Sequence, residues 1–86
     1  MAPRPDTNQY ILKEALHKAN NAVFFDHRQY WAGAIRAYGE SCSLLGQVMR
    51  TSLDEQDKMK VEAVRITYVR RIYELQDFVT PTMHRL

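Results

Sequence analysis

The sequence predicts an all-α fold, an antiparallel up-down-up bundle of three helices. Apolar residues recur at three- and four-residue spacing in three stretches, which is the period of a helix that buries one face. A possible helix-capping pattern precedes each stretch. There is no sustained alternation of apolar and polar residues and no Asn-Gly or Asp-Gly pair to indicate a hairpin.

The first helix is predicted over residues 7–26. Asp6 and Gln9 stand three positions apart, the spacing of a capping box, and Asp26 closes the apolar pattern. The stripe expected to face the core consists of Leu12, Ala15, Leu16, Ala19, Ala22 and Val23.

The second helix is predicted over residues 29–50, because Asp26 and Gln29 repeat the capping spacing and the connection is short. Its buried stripe is Trp31, Ala34, Ile35, Tyr38, Cys42, Leu45 and Met49. Three glycines interrupt this helix, and each costs about 1 kcal/mol relative to alanine in a helix interior. They either fill a solvent-facing side or allow a neighbouring backbone to approach closely.

The third helix is predicted over residues 53–79, opened by a capping box of Ser52 and Glu55. Thr80 ends it, because the residue before a proline avoids the helical region. Its inward stripe is Val61, Val64, Tyr68, Ile72, Leu75 and Val79. The chain is therefore divided into a flexible arm at 1–6, one domain at 7–79 and a flexible tail at 80–86.

Composition excludes several classes of function. At 86 residues the chain supports a single core, and a net charge of +2 is too small to indicate a nucleic-acid partner. One cysteine, Cys42, excludes an intrachain disulfide and favours a reducing, intracellular setting. The sequence holds no apolar run of about 18 residues, so direct insertion into a membrane is not expected.

The sequence also lacks the patterns of a catalytic or metal-binding site. His17, His27 and His84 have no ligand spacing, and Cys42 lies on a buried stripe where a thiol behaves as a small apolar group. The acidic cluster near Asp54 complements the dipole at a helix N-terminus. We therefore predict a protein that is not an enzyme and has no cofactor and no metal.

Apolar residues left outside the core stripes predict a groove between the second and third helices. The third helix contributes Ile66, Val69 and Tyr73, flanked by two basic residues, Arg65 and Arg70. The second helix contributes a shallower stripe, which consists of Ala37, Ser41, Leu44 and Val48. An amphipathic helix from a partner could bind there through anchors at one-turn spacing. The alternative is that both stripes are the edge of a wide core.

A second candidate contact surface lies on the first helix, where Tyr10, His17 and Phe24 stand roughly opposite the core stripe and Phe25 lies on its flank. Large aromatic residues contribute strongly to protein interfaces when they are desolvated. The alternative is that another part of the chain covers them.

An ion pair between Asp26 and Arg71 is predicted to join the end of the first helix to the third. Its energetic weight depends on burial, because a buried pair is far more costly to break than an exposed one.

The order of these residues resembles the MIT (microtubule interacting and trafficking) domain family over about residues 10–79. The resemblance is carried by Ala22 and Asp26 on the first helix, and by the Trp31-x-x-Ala34-x-x-x-Tyr38 pattern on the second. On the third helix it is carried by Tyr68, Arg71 and Leu75. These are mostly residues that determine the fold.

The resemblance implies a noncatalytic peptide-binding module that recognises short C-terminal motifs of ESCRT-III-like proteins. Family members bind a helical motif between helices two and three, or an extended motif between helices one and three. Val69 stands at the position of the family's central groove leucine. Arg70 and Tyr73 stand where a related ATPase has acidic groups, so we expect a motif with acidic residues opposite Arg65 and Arg70, or use of the other groove.

The expected setting is the cytoplasm, with recruitment to endosomal or other membrane surfaces through partners, and the isolated domain is expected to be a monomer. Two alternatives remain at this stage. One is a structural bundle that forms homo-oligomers, and the other is part of a scaffold of the tetratricopeptide-repeat (TPR) type.

Overall fold

The computed structural model describes residues 7–51 and 54–80, which form three helices in an up-down-up bundle, as the sequence predicts. The first, α1, spans Thr7–His27, α2 spans Trp31–Met49 and α3 spans Glu55–Val79. The expected terminal arm and tail, apart from Thr80, lie outside the described residues. So do two capping residues, Asp6 and Ser52, and the predicted first residue of the third helix, Leu53.

The buried face of α1 is made of alanines. Ala15, Ala19 and Ala22 are almost completely buried against α2, and the Ser41 hydroxyl of α2 donates a 2.7 Å hydrogen bond to the Ala15 carbonyl. Small side chains allow two helix backbones to approach closely enough for such a contact. The alanine face therefore fixes α1 tightly on α2.

Buried apolar residues extend along α2 as far as Val48, and the cluster that joins all three helices lies at the end of the bundle where α1 turns into α2. This cluster consists of Ala22, Ala34, Ala37, Tyr38 and Leu75. Larger, half-buried residues surround it: Phe25, Trp31, Ile35, Tyr68 and Ile72. Trp31 also stacks on Phe78 near the end of α3, with ring centroids 4.7 Å apart. Aromatic contacts therefore fasten α2 to both neighbours here.

The seam between α1 and α3 is open. Within the described helices, no Cα atom of α1 lies within 8 Å of a Cα atom of α3. Leu16, Val23 and Val64 are 49%, 40% and 38% exposed, although the sequence predicted them as core. That prediction was wrong because both helices pack on α2 and leave their mutual edges apart. Val79, also predicted as core, is exposed at the end of α3.

A polar network spans this open seam near the core. The Arg71 guanidinium of α3 donates two hydrogen bonds of 2.8 Å to the carboxylate of Asp26 on α1. Tyr38 of α2 donates its hydroxyl to the same carboxylate at 3.0 Å. Asp26 is 9% exposed, whereas the Arg71 side chain is 37% exposed and also pairs with Glu74. One carboxylate thus connects all three helices.

The network shifts the titration of its members. The hydrogen bond from Arg71 lowers the pKa of Asp26 below its ordinary value of 3.8, and this outweighs the opposing effect of burial. Burial, aided by the neighbouring carboxylate, raises the pKa of Tyr38 to about 12. Asp26 is therefore ionised and Tyr38 is neutral throughout the physiological pH range.

The connection from α1 to α2 is a Schellman-type helix end. The Gln29 amide bonds the Asp26 carbonyl at 3.0 Å, the Tyr30 amide bonds the Phe25 carbonyl at 2.9 Å, and Gln29 has a φ of 61°. The Tyr30 and Phe25 rings supply the apolar contact that accompanies this motif, with centroids 5.3 Å apart. The predicted capping box of Asp26 and Gln29 was therefore wrong, because both residues belong to the end of α1.

The third helix begins two residues later than predicted. The Asp54 carboxylate accepts a 2.8 Å hydrogen bond from the Asp57 amide and caps the first turn. Glu55 and Asp57 add negative charge in that turn, where it is favourable.

Asp26→Asn is expected to lower the free energy of unfolding by about 2 kcal/mol at pH 7, because it removes a charged hydrogen-bond acceptor from Arg71 and Tyr38. The control Glu74→Gln, which removes only the exposed partner of Arg71, should cost under about 0.5 kcal/mol. Because Asp26 has a lowered pKa in the fold, the difference between wild type and Asp26→Asn should shrink below about pH 4. Urea unfolding at several pH values measures this, and a difference that is constant down to pH 2 would contradict the account.

Gln29→Gly is expected to stabilise the domain by about 0.5–1 kcal/mol, because glycine adopts a positive φ without the steric cost that glutamine has there. Gln29→Ala retains a Cβ and serves as the control, with a change near zero. Thermal unfolding of both variants checks this, and equal stabilisation of the two would show that backbone strain at residue 29 is not the cause.

Candidate functional site

The seam between α2 and α3 is defined by contacts along its length. The centroids of the Tyr38 and Tyr68 rings lie 5.5 Å apart. The Cys42 thiol donates a hydrogen bond to the Arg65 carbonyl, with the sulfur 3.7 Å from the oxygen. Burial raises the pKa of the Cys42 thiol, which keeps it protonated. The face of α2 that meets α3 is therefore the one that carries Tyr38 and Cys42.

The predicted contribution of α2 to this seam was wrong. Ala37, Ser41 and Val48 are buried, and Ser41 bonds to α1 rather than to α3. Leu44 lines a cleft with Tyr10 of α1. These four residues lie on the side of α2 that packs against α1, about 100–160° around the helix from Cys42.

The α2 side of the seam is formed instead by Cys42, Gly46 and Met49. They line an open cleft of about 630 Å³ together with Arg50 and two residues of α3, Glu62 and Arg65. Gly39 lies one helical turn before Cys42, and a Cβ atom added to it would meet nothing within 4 Å. Because Gly39 and Gly46 have no side chains, the surface of α2 is recessed along this edge.

The α3 side of the seam contains the predicted apolar row. Ile66 is 45% exposed and lines a second, shallower cleft of about 380 Å³ with Met49 and Met59. Val69 is half-buried and Tyr73 is 67% exposed, and helical spacing places both on the same side as Ile66. The two clefts share Met49 and Glu62, so they form one continuous trough.

The two basic residues predicted to flank the apolar row, Arg65 and Arg70, differ in their surroundings. Arg65 donates to the Glu62 carboxylate through both Nε and Nη2, and this hydrogen bonding raises the pKa of Arg65. Glu62 thus offsets the charge of Arg65. Arg70 is exposed and has no ion-pair partner among residues 7–51 and 54–80, and Arg50 is exposed at the other end of the trough. The net charge along the trough remains positive.

The second candidate surface divides into separate parts. Phe24 is 55% exposed, lies under the Arg28 guanidinium at 4.8 Å, and shares the outer face of α1 with exposed His17. Tyr10 lines a cleft with Leu44 at the seam between α1 and α2. Phe25 is half-buried and packs on the core and on Tyr30.

Sequence reasoning missed Gly46 and Met49 as trough residues, because Met49 was assigned to the core and the glycines were left undecided. The spacing of Gly39 and Gly46, seven residues apart on the face of Cys42, was the available signal. In the part of the chain that the structure describes, no three His, Cys, Asp or Glu residues come together as a metal site. Of α1, α2 and α3, none combines the length and apolar character needed to cross a bilayer.

Comparison with known families gives one result. A family profile described as the MIT (microtubule interacting and transport) domain matches residues 12–77, which covers all of α2 and most of α1 and α3. No match was found among curated proteins or among solved structures.

Gly33→Ala and Gly39→Ala are expected to differ in stability although both replace a glycine within α2. Alanine at 39 meets open space and should stabilise the helix by about 1 kcal/mol. A Cβ at 33 would overlap the Tyr30 ring and displace it from Phe25, which should offset that gain by about 1 kcal/mol. Chemical denaturation measures both, and equal stabilisation would show that Tyr30 is not held over Gly33.

Proposed function

This chain belongs to the MIT domain family, and on that premise we propose that it is a noncatalytic targeting module that binds short C-terminal motifs of ESCRT-III-like proteins. As a member of that family it is a protein-protein interaction domain. The proposal places the bound motif in the trough between α2 and α3. It would bring the parent protein to endosomal or other membrane surfaces through its partners, from the cytoplasm and without inserting into the bilayer.

The observation that carries the proposal is the shape of the trough. On α2, the trough is recessed because Gly39 and Gly46 have no side chains. On α3, it is bordered by the apolar row of Ile66, Val69 and Tyr73. Spacing of i, i+3 and i+7 matches the period at which an amphipathic helix presents its own apolar anchors. The proposed ligand is therefore a helical segment with leucine-like anchors at one-turn spacing.

The charge of the trough favours an acidic rather than a basic ligand. Arg70 and Arg50 are exposed, whereas Arg65 is already paired with Glu62. A basic motif would meet repulsion at Arg70, and charge complementarity governs partner choice more than raw affinity. We therefore propose acidic residues in the motif near Arg70, with Arg65 contributing only if its pair with Glu62 opens.

Affinity should be modest, because the trough buries less area than a standard protein interface. Dissociation constants in the micromolar range or weaker are expected, and polymeric partners would add avidity.

A second mode is favoured by the open seam between α1 and α3. Leu16, Val23 and Val64 are half-exposed along it, which suits an extended rather than a helical peptide. A third reading is that the exposed apolar residues form a homo-oligomer. Sedimentation at several concentrations distinguishes the homo-oligomer from both peptide-binding modes, because a peptide-binding domain stays monomeric.

Ile66→Asp is expected to weaken binding of an acidic amphipathic helical peptide at least tenfold, because it places a charge in the apolar row and repels the ligand. The matched control is Thr67→Asp, which adds the same charge one residue later on another exposed side of α3. Binding is measured by titration calorimetry, with circular dichroism as the check on folding.

If Ile66→Asp and Thr67→Asp weakened binding equally, or if neither weakened it, the α2/α3 trough would be refuted as the site. Loss on Leu16→Asp instead would assign the ligand to the seam between α1 and α3.

A further inference from the structure

A third seam, between α1 and α2 on the side away from α3, has features of a binding site. The α1 side is a straight row at helical spacing: Tyr10, Glu14, Lys18, Asn21 and Phe25. The α2 side is a matching row: Tyr30, Gly33, Ala37, Glu40 and Leu44. Both rows run along the antiparallel pair of helices, so the seam is a linear track.

An ion pair crosses this track halfway. The Lys18 Nζ and Glu40 Oε2 atoms are 3.7 Å apart, and the two side chains are 34% and 49% exposed. The pair separates two clefts, one of about 270 Å³ towards the α1–α2 turn and one of about 420 Å³ towards the other end. Exposed pairs of this kind contribute little to stability, so a ligand can compete for either partner at low cost.

The two clefts have opposite charge. The cleft near the turn contains Arg36 beside Lys18, against one carboxylate, Glu40. The other cleft contains Glu14 and Glu40 against Lys18 alone. Apolar contact is available in both, on the Phe25 and Tyr30 rings in the first and on Tyr10 and Leu44 in the second. The track therefore has a positive end and a negative end with apolar surface in each.

We propose that this α1/α2 track binds an extended peptide segment of a partner protein that is acidic at one end and basic at the other. The acidic end would bind at Arg36 and the basic end at Glu14. A cleft of about 270 Å³ admits one or two side chains but not a helix roughly 10 Å across, so the bound segment is extended.

The spacing of the ligand's charges follows from the geometry. Leu44 lines the same cleft as Glu14, so the distance along α2 from Arg36 to Leu44 gives the separation of the two charged ends. These residues are eight apart, which corresponds to about 12 Å along the helix axis. An extended chain advances about 3.3 Å per residue, so the acidic and basic groups stand about four residues apart. This surface lies away from the α2/α3 trough, and the inference does not depend on the function proposed above.

The test uses two synthetic peptides of equal composition, EELALKK with one acidic and one basic end and KELALEK, whose two ends carry the same pair of charges. Titration of the isotope-labelled full chain, followed by amide chemical shifts, should show EELALKK perturbing residues along α1 and α2 beside Lys18 and Glu40. KELALEK reads the same in both directions and carries like charges at positions 2 and 6, so it cannot match both ends and should bind at least about fivefold more weakly.

Charge reversal on the protein provides the second arm. Arg36→Glu makes the track uniformly acidic and Glu14→Lys makes it uniformly basic, so each should weaken EELALKK binding about fivefold. The double variant restores two opposite ends, to which the peptide can bind in the reverse direction, and should recover affinity to within about twofold. Ile66→Asp, on the other trough, should have no effect.

The proposal would be overturned by equal binding of both peptides, by a double variant weaker than either single variant, or by shifts confined to α3 and the facing side of α2. Self-association that perturbs the same amides without peptide would assign the track to a second copy and would overturn it as well.

Discussion

The close contact between the alanine face of α1 and α2 is the constraint on which the rest of the structure depends. Ala15, Ala19 and Ala22 bring α1 against α2, and the bond from Ser41 to the Ala15 carbonyl requires that approach. Once α2 holds α1 on one side and α3 on another, the outer helices do not meet through their backbones. The Asp26–Arg71 pair then spans the gap that apolar side chains do not fill. The small core and the open seams therefore both result from the packing of α1 and α3 on α2 instead of on each other.

Open seams explain how a domain of 86 residues can offer several surfaces to partners. In a closed bundle, residues such as Leu16, Val23 and Val64 would stabilise the core, whereas here they are half-exposed. The bundle keeps its order through the buried cluster around Tyr38 and Leu75 and through the shared carboxylate of Asp26. The buried faces therefore stabilise the fold, whereas the proposed binding surfaces lie on other faces of the same three helices, so a binding surface could vary without loss of the fold.

Sequence reasoning predicted what is local and missed what depends on packing. The number of helices and most of their limits follow from the apolar period and from Pro81, which are properties of neighbouring residues. The rotation of α2 could not be predicted, because two adjacent apolar stripes both suited a core, and the alanines of α1 decide between them. The turn at Gln29 was missed because a Schellman end usually carries glycine at that position. On α3, the row of Ile66, Val69 and Tyr73 was visible because nothing else accounted for it, whereas the partnership of Arg65 with Glu62 needed side-chain positions.

In this fold several large apolar residues, among them Leu16, Val23 and Val64, lie along open seams instead of joining the buried core of Leu45, Val48 and Leu75. Methyl relaxation in the presence of a soluble gadolinium chelate tests it most directly, because the effect reports how closely solvent approaches each methyl group. We expect strong relaxation for Leu16, Val23, Val64 and Ile66, and protection for Leu45, Val48 and Leu75. Equal protection of the two sets would mean that the seams are closed in solution, which would contradict the account.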